Sequence, residues 1–199
     1  SKAISESENL LELSDRELLV KTVNDAYTVI EESTQNLSKE KNELQKKVIE
    51  SEITKQRGVI VEAYRGMAEK RFDENLKTAP IDANRDKLLE NKKDIVTDML
   101  IDPGTKEIDP KTGKETGAKS RSVLGMIDDF KKEKHKYGNL AAYINFLFKR
   151  RSYDVFTKYD RAFEIRLDES IKQVAAAEAE FELDTDSKNI ATNKIILLD

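Results

Sequence analysis

A chain of 199 residues with one histidine, no cysteine and no tryptophan offers few side chains for chemistry. His135 lies in Lys132-Glu133-Lys134-His135-Lys136, with no acid–base partner tied to it by spacing. Gly113-Lys114 has the ending of a phosphate loop. However, Ile108 stands where the first glycine belongs, and Glu115 follows where Ser or Thr should meet magnesium. Asp184 and Asp186 open like a calcium loop, which then lacks the glycine at its sixth position and has Ile195 in place of the bidentate glutamate. Asn36-Leu37-Ser38 is a glycosylation sequon without a secretory signal beside it. Carboxylate pairs abound, but none sits in an apolar setting that would raise a pKa. No catalytic, metal-binding or cofactor-binding residue is predicted, and the chain is expected not to be an enzyme.

The charge pattern is more informative. Residues 131–166 hold ten Lys/Arg against four acids, a net +6, while 167–199 hold eight acids and three Lys, a net −5. Tyr137, Tyr143, Tyr153 and Tyr159 are interleaved with the basic block, a pattern that suits a nucleic-acid surface. Lys131, Lys132, Lys149, Arg150 and Arg151 are its candidate contacts. The plainer reading is a solvated helix face paired with acidic helices of this chain or a neighbour. It is favoured because the whole chain carries −4, and phosphate binding needs a positive field.

Composition narrows the class further. Charged residues make up 37% of the chain and apolar ones 38%, with only seven Gly and three Pro. An average domain has about 25% charged residues. Without Cys there is no disulfide framework, thiol nucleophile, zinc finger or iron–sulfur site. No apolar run approaches the roughly 20 residues that span a bilayer, and residues 1–13 are polar and acidic, unlike a signal peptide.

The elements follow from spacing. Ser14 and Glu17 form a capping box, stapled by Leu13 and Leu18. Behind it Leu19, Val23, Ala26, Tyr27 and Ile30 make one stripe. Val23, Ile30, Leu37 and Leu44 then repeat every seven residues, with Val48 on the same face. The weakest helical stretch is 33–36. Ile53, Ile60 and Met67 form a second seven-residue rhythm, in which Gly58 and Gly66 either cost about 1 kcal/mol each against Ala or admit a neighbouring helix closely. Pro80 ends it. Residues 14–79 therefore predict long helices with a heptad-like seam, after a polar segment 1–13, and 80–101 a short amphipathic helix built on Leu88, Leu89, Ile95, Val96, Met99 and Leu100.

Residues 102–121 hold two of the three prolines and predict a loop or hairpin around Asp109-Pro110-Lys111-Thr112-Gly113. Residues 122–183 predict two helices. The first is capped by Ser120 or Ser122 and ended by Gly138. The second is long and carried by Leu140, Ile144, Leu147, Phe148, Val155, Tyr159, Phe163, Leu167, Ile171 and Val174. Residues 184–199 predict a break and then an extended arm, with Ile195, Ile196, Leu197 and Leu198 as its anchor.

The expected fold class is all-α: an elongated helical bundle or set of coiled-coil hairpins, with a Pro/Gly-rich hairpin-like loop and an extended C-terminal arm. In overall style the chain resembles virion-associated helical proteins of tailed bacteriophages, the internal or ejected proteins, scaffolds and connector components. Several traits carry the likeness: no Cys or Trp, Lys/Glu/Asn-rich long helices, a Pro/Gly hairpin and an apolar carboxy-terminal run, with residues 139–154 contributing most. The resemblance implies a structural protein, in a virion or cytoplasmic, that binds other protein subunits as a homo-oligomer or within a larger assembly. From the residues themselves no cofactor and no membrane span are expected. Leu37, Leu44, Val48 and Ile195 to Leu198 are the predicted protein-interface residues, and nucleic-acid binding through 131–166 is the alternative.

Overall fold

In the computed structural model, residues 15–79, 84–102, 104, 107–116 and 120–198 are described, the side chains of 107, 116 and 182–198 excepted. Ser14, Leu13, Pro80, Pro103 and Gly117 lie outside the described residues. The fold is all-α. Its elements are α1 (Asp15–Lys39), α2 (Glu43–Ala63), α3 (Arg65–Thr78), α4 (Asn84–Glu90), α5 (Lys92–Ile101), β1 (Glu107–Ile108), β2 (Glu115–Thr116), α6 (Val123–Tyr137) and α7 (Leu140–Leu198).

The chain turns at 40–42, not at the weak stretch 33–36. The Glu40 carboxylate accepts the amides of Lys41 and Asn42, and the Asn42 side chain then accepts those of Leu44 and Gln45. These bonds satisfy donors that a new helix leaves open. Residues 33–36 remain helical, with the Thr34 hydroxyl bonded back to the Ile30 carbonyl. The seven-residue repeat is thereby split. Val23 and Ile30 are buried on α1, Leu37 is half-buried near its end, and Leu44 starts the returning helix. α1 and α2 pack along each other as two limbs of a hairpin.

Two further expectations change. Residues 84–101 form two helices parted at Asn91, with Leu88, Ile95, Val96, Met99 and Leu100 buried but Leu89 exposed. Gly58 and Gly66 are exposed, with open space where a side chain would go, so neither marks a close helix approach. Ala79 is extended at ψ 142°, the conformation a following proline favours.

The division of the chain into two compact units falls at 157/158, inside α7. The core of the first unit is a set of aromatic contacts. Tyr27 of α1 meets Phe130 of α6 edge-on at 5.3 Å, and Phe130 meets Tyr143 of α7 at 5.5 Å. Tyr64 meets Phe148 at 6.0 Å and Phe72 meets Phe156 at 5.6 Å. Each such ring contributes on the order of 2–3 kcal/mol through burial. Ion pairs at the rim join α2 to α6 (Arg57–Asp128, 2.8 Å) and α3 to α5 (Lys92–Asp73, 2.9 Å). Being exposed, they add little.

β1 and β2 pair antiparallel, Glu107 opposite Thr116 and Ile108 opposite Glu115. Asp109 and Lys114 close the turn at 3.0 Å, with Gly113 at φ 65°. Ser122, not Ser120, caps α6: its hydroxyl accepts the Gly125 amide at 3.1 Å. Gly138, at φ 81°, ends that helix.

The second unit, described by itself, is the continuation of α7. Phe163 is buried and Leu167 half-buried, while the other side chains from Glu164 to Phe181 are exposed. The predicted break at 184–189 and the extended arm are corrected: the backbone stays helical to Leu198. The short polar run at 184–189 contains no Gly or Pro, so nothing in it forces the helix to stop.

Candidate protein-interaction surfaces

The turn at 40–42 brings two predicted interface residues to one end of α2. Leu44 is 73% exposed and Val48 62% exposed, one turn apart on the same face. They stand among Glu43, Gln45, Lys46 and Lys47 in the first turns of the helix. Leu37, half-buried on α1, does not continue their face. The side chains of Ile195, Ile196, Leu197 and Leu198 lie outside the described set; their backbone is helical and not an extended arm.

A second apolar surface was hidden by its own regularity. Ile171 and Val174, each 58% exposed, belong to the apolar series of α7, which reads as one face from end to end. The structure buries or half-buries that series as far as Leu167 and exposes Ile171 and Val174 after it. Spacing is the same in both halves, so only packing separates them.

Of the candidate nucleic-acid contacts, Lys131, Lys132, Lys149 and Arg150 are exposed. Arg151 is not; it is a correction. It is 7% exposed and bound within the first unit. Its Nη1 donates to the Ser120 carbonyl oxygen at 2.9 Å and lies 3.9 Å from the Asp129 carboxylate, Nη2 donates to the Tyr143 hydroxyl at 3.4 Å, and the guanidinium sits over the Tyr143 ring. The Asp129 carboxylate also accepts the Ser120 amide at 3.0 Å. One helical turn separates Phe146, Lys149/Arg150 and Tyr153, which are all exposed and so form an aromatic–basic strip. Of the interleaved tyrosines, Tyr143 is buried in the core, and Tyr137 packs on it at 4.9 Å. Lys134 pairs with Glu31 of α1.

Titration in the first unit follows burial. Burial pushes the Tyr64 hydroxyl well above its ordinary range, and that hydroxyl donates to the Asn145 side-chain oxygen at 3.0 Å. Tyr27 moves the same way, first through burial and then through the nearby carboxylates of Glu31 and Asp128. On the surface, hydrogen bonds from Arg65 at 2.8–3.1 Å hold the Glu62 carboxyl below its usual value.

The described residues of the first unit line open cavities. An open groove between α1 and α2, about 390 Å³, is lined by Leu18, Ala26, Val29 and Val59, and its charged members Lys21 and Asp25 pair with each other at 2.7 Å. Another lies beside Arg65, Leu89 and Val96. Among the described residues no three His, Asp or Glu side chains gather to hold a metal ion, and no helix is long and apolar enough to cross a membrane. No protein-family model, curated protein or solved structure matches this chain.

Proposed function

We propose that this chain is a non-enzymatic structural and interaction protein of a multi-subunit assembly, with an internal, scaffold or connector component of a phage virion as its specific form. The observation that supports this is exposed apolar surface at two separate places, Leu44/Val48 and Ile171/Val174. Scattered single apolar side chains are ordinary, but contiguous ones mark contact surfaces. The test is the solution mass by light scattering over a range of concentrations, for the native chain and for Leu44→Asp/Val48→Asp. The reading expects a defined oligomer or larger particle, reduced in mass when a contact surface is charged. A monomer at every concentration would remove it.

A second reading, nucleic-acid binding, is favoured by the strip Phe146, Lys149, Arg150 and Tyr153. Aromatic faces take stacked bases and the cations between them meet phosphates. It expects retention on single-stranded nucleic acid that falls steeply with salt and is lost in Lys149→Gln/Arg150→Gln. Arg151 is left intact in that variant, because its loss would perturb the fold. Unchanged retention would exclude the strip.

A further inference from the structure

We infer that the aromatic–basic strip of α7 continues onto the end of α6, and that the two helices together form a platform for an unpaired nucleic-acid strand. This rests on the nucleic-acid reading above, to which it adds the form of the ligand and the second helix.

Ring contacts join the two helices. Tyr137, the last residue of α6, stands 4.9 Å from the buried Tyr143 and 5.8 Å from Phe146 of α7. The Lys136 ammonium lies over the Tyr137 ring at 5.3 Å. Lys132 is one turn before Lys136 on the same face of α6, and both are exposed. The surface therefore runs from Lys132 and Lys136 through Tyr137 to Phe146, Lys149/Arg150 and Tyr153, all within the first unit.

Charge selects an anionic occupant. Residues 131–157 hold seven Lys/Arg against two acids, Glu133 and Asp154, both half-buried. The acids that face this region from packed elements are engaged. Glu31 of α1 pairs with Lys134, and Asp128 pairs with Arg57 of α2. Asp129 accepts the Ser120 amide beside the buried Arg151. Among the described residues, no ion pair takes Lys132, Lys136, Lys149 or Arg150. A local positive field thus stands within a chain of net charge −4.

Cations alone would suit any polyanion, and the rings narrow the choice. Phe146 is 72% exposed and Tyr153 52% exposed. They lie two turns apart, about 10 Å along the axis, with Lys149 and Arg150 between them. Bases stacked on the two rings leave the linking phosphates over those two cations. Stacking on a protein ring needs an open base face, which a single strand offers and a duplex closes within its own stack.

The test is fluorescence anisotropy of the full chain with labelled oligothymidine of about 20 nucleotides and with a duplex of the same length, over a series of salt concentrations. The single strand is expected to bind about tenfold or more tightly than the duplex. Phe146→Ala/Tyr153→Ala should weaken single-strand binding by about tenfold or more at unchanged salt dependence, because it removes stacking and no cation. Lys132→Gln/Lys136→Gln should weaken it as well, but by reducing the slope of log K against log salt by roughly 1.4. All four side chains are exposed, so circular dichroism should show the native helix content in both variants. Equal binding of strand and duplex, untouched by Phe146→Ala/Tyr153→Ala, overturns the platform and leaves the nucleic-acid reading standing. Loss of binding in Lys149→Gln/Arg150→Gln but none in Lys132→Gln/Lys136→Gln overturns the continuation onto α6. No binding of either oligonucleotide at low salt overturns both, and binding of phosphatidylserine vesicles in their place would give the face to an anionic membrane surface.

Discussion

Arg151 Nη1 donates to the carbonyl oxygen of Ser120 at 2.9 Å, across 31 residues of chain. The contact ties the segment that leads into α6 to the middle of the first half of α7, and it explains why an arginine within the basic triplet 149–151 is buried while its two neighbours face water. The Asp129 carboxylate completes the arrangement by accepting the Ser120 amide.

Replacing Arg151 with Ala should therefore act on stability rather than on surface charge. Breaking a buried charge-assisted contact costs roughly 3 kcal/mol, a fall in Tm on the order of 6–12 °C for a chain of this size. Arg150→Ala, one residue away and exposed, should change Tm by about 1 °C or less. Equal effects from the two substitutions in a calorimetric scan would contradict the assignment.

Gly125 is required by the same junction. A Cβ there would stand 1.8 Å from the Ser120 hydroxyl oxygen and 2.1 Å from Ser120 Cβ, so the backbone of one segment would have to move. Although Ala is the better helix former by about 1 kcal/mol, Gly125→Ala should destabilise by about 2 kcal/mol. Adding Ser120→Gly removes both clashing atoms and should recover part of the loss. Chemical denaturation of the two single variants and the double would expose this non-additivity, and strict additivity would deny the clash.

Asn24 caps the start of α7 by accepting from an amide 117 residues later in the chain. Its side-chain oxygen accepts the Ala141 amide at 3.1 Å, while Asn139 accepts that of Ala142 at 2.9 Å. Two of the open amides at the start of α7 are thus satisfied, one locally and one from α1. Asn24→Ala should cost about 1 kcal/mol and raise amide exchange at Ala141 in particular. Exchange unchanged at Ala141 would show that the cap adds nothing in solution.

Tyr64 makes stability sensitive to alkaline pH. Its folded-state pKa lies above the unfolded value, so folding favours the neutral phenol. The contribution is complete below about pH 10 and falls as pH rises beyond that, because the unfolded chain releases the proton first. Tyr64→Phe should lose about 1 kcal/mol at neutral pH with the bond to Asn145. The native advantage should then shrink as pH rises from about 10 to about 11, read from urea midpoints. A gap that stays constant across that window would refute the shift. Tyr27 adds a change of the same sign.

The helices themselves were legible locally. Periodic apolar positions placed Val23, Ala26, Tyr27 and Ile30 on one face, Ser122 and Gly138 bounded α6, and Gly113 marked the hairpin turn, because caps, turns and faces depend on residues within a few positions of each other. The hinge at 40–42 carried a local signal too, an Asn at the start of a helix, but the seven-residue repeat runs across it and the weakest helical stretch is at 33–36. Other features had no local signature. Arg150 and Arg151 are the same residue type side by side, and burial separates them only because Ser120, Asp129 and Tyr143 come from elsewhere in the chain. Ile171 and Val174 continue the three-and-four spacing of Leu140, Ile144 and Phe148, yet they are exposed where those are buried. Periodicity encodes that a helix has an apolar face. What covers that face depends on which segments reach it, a matter of chain closure over long separations that no window of neighbouring residues contains.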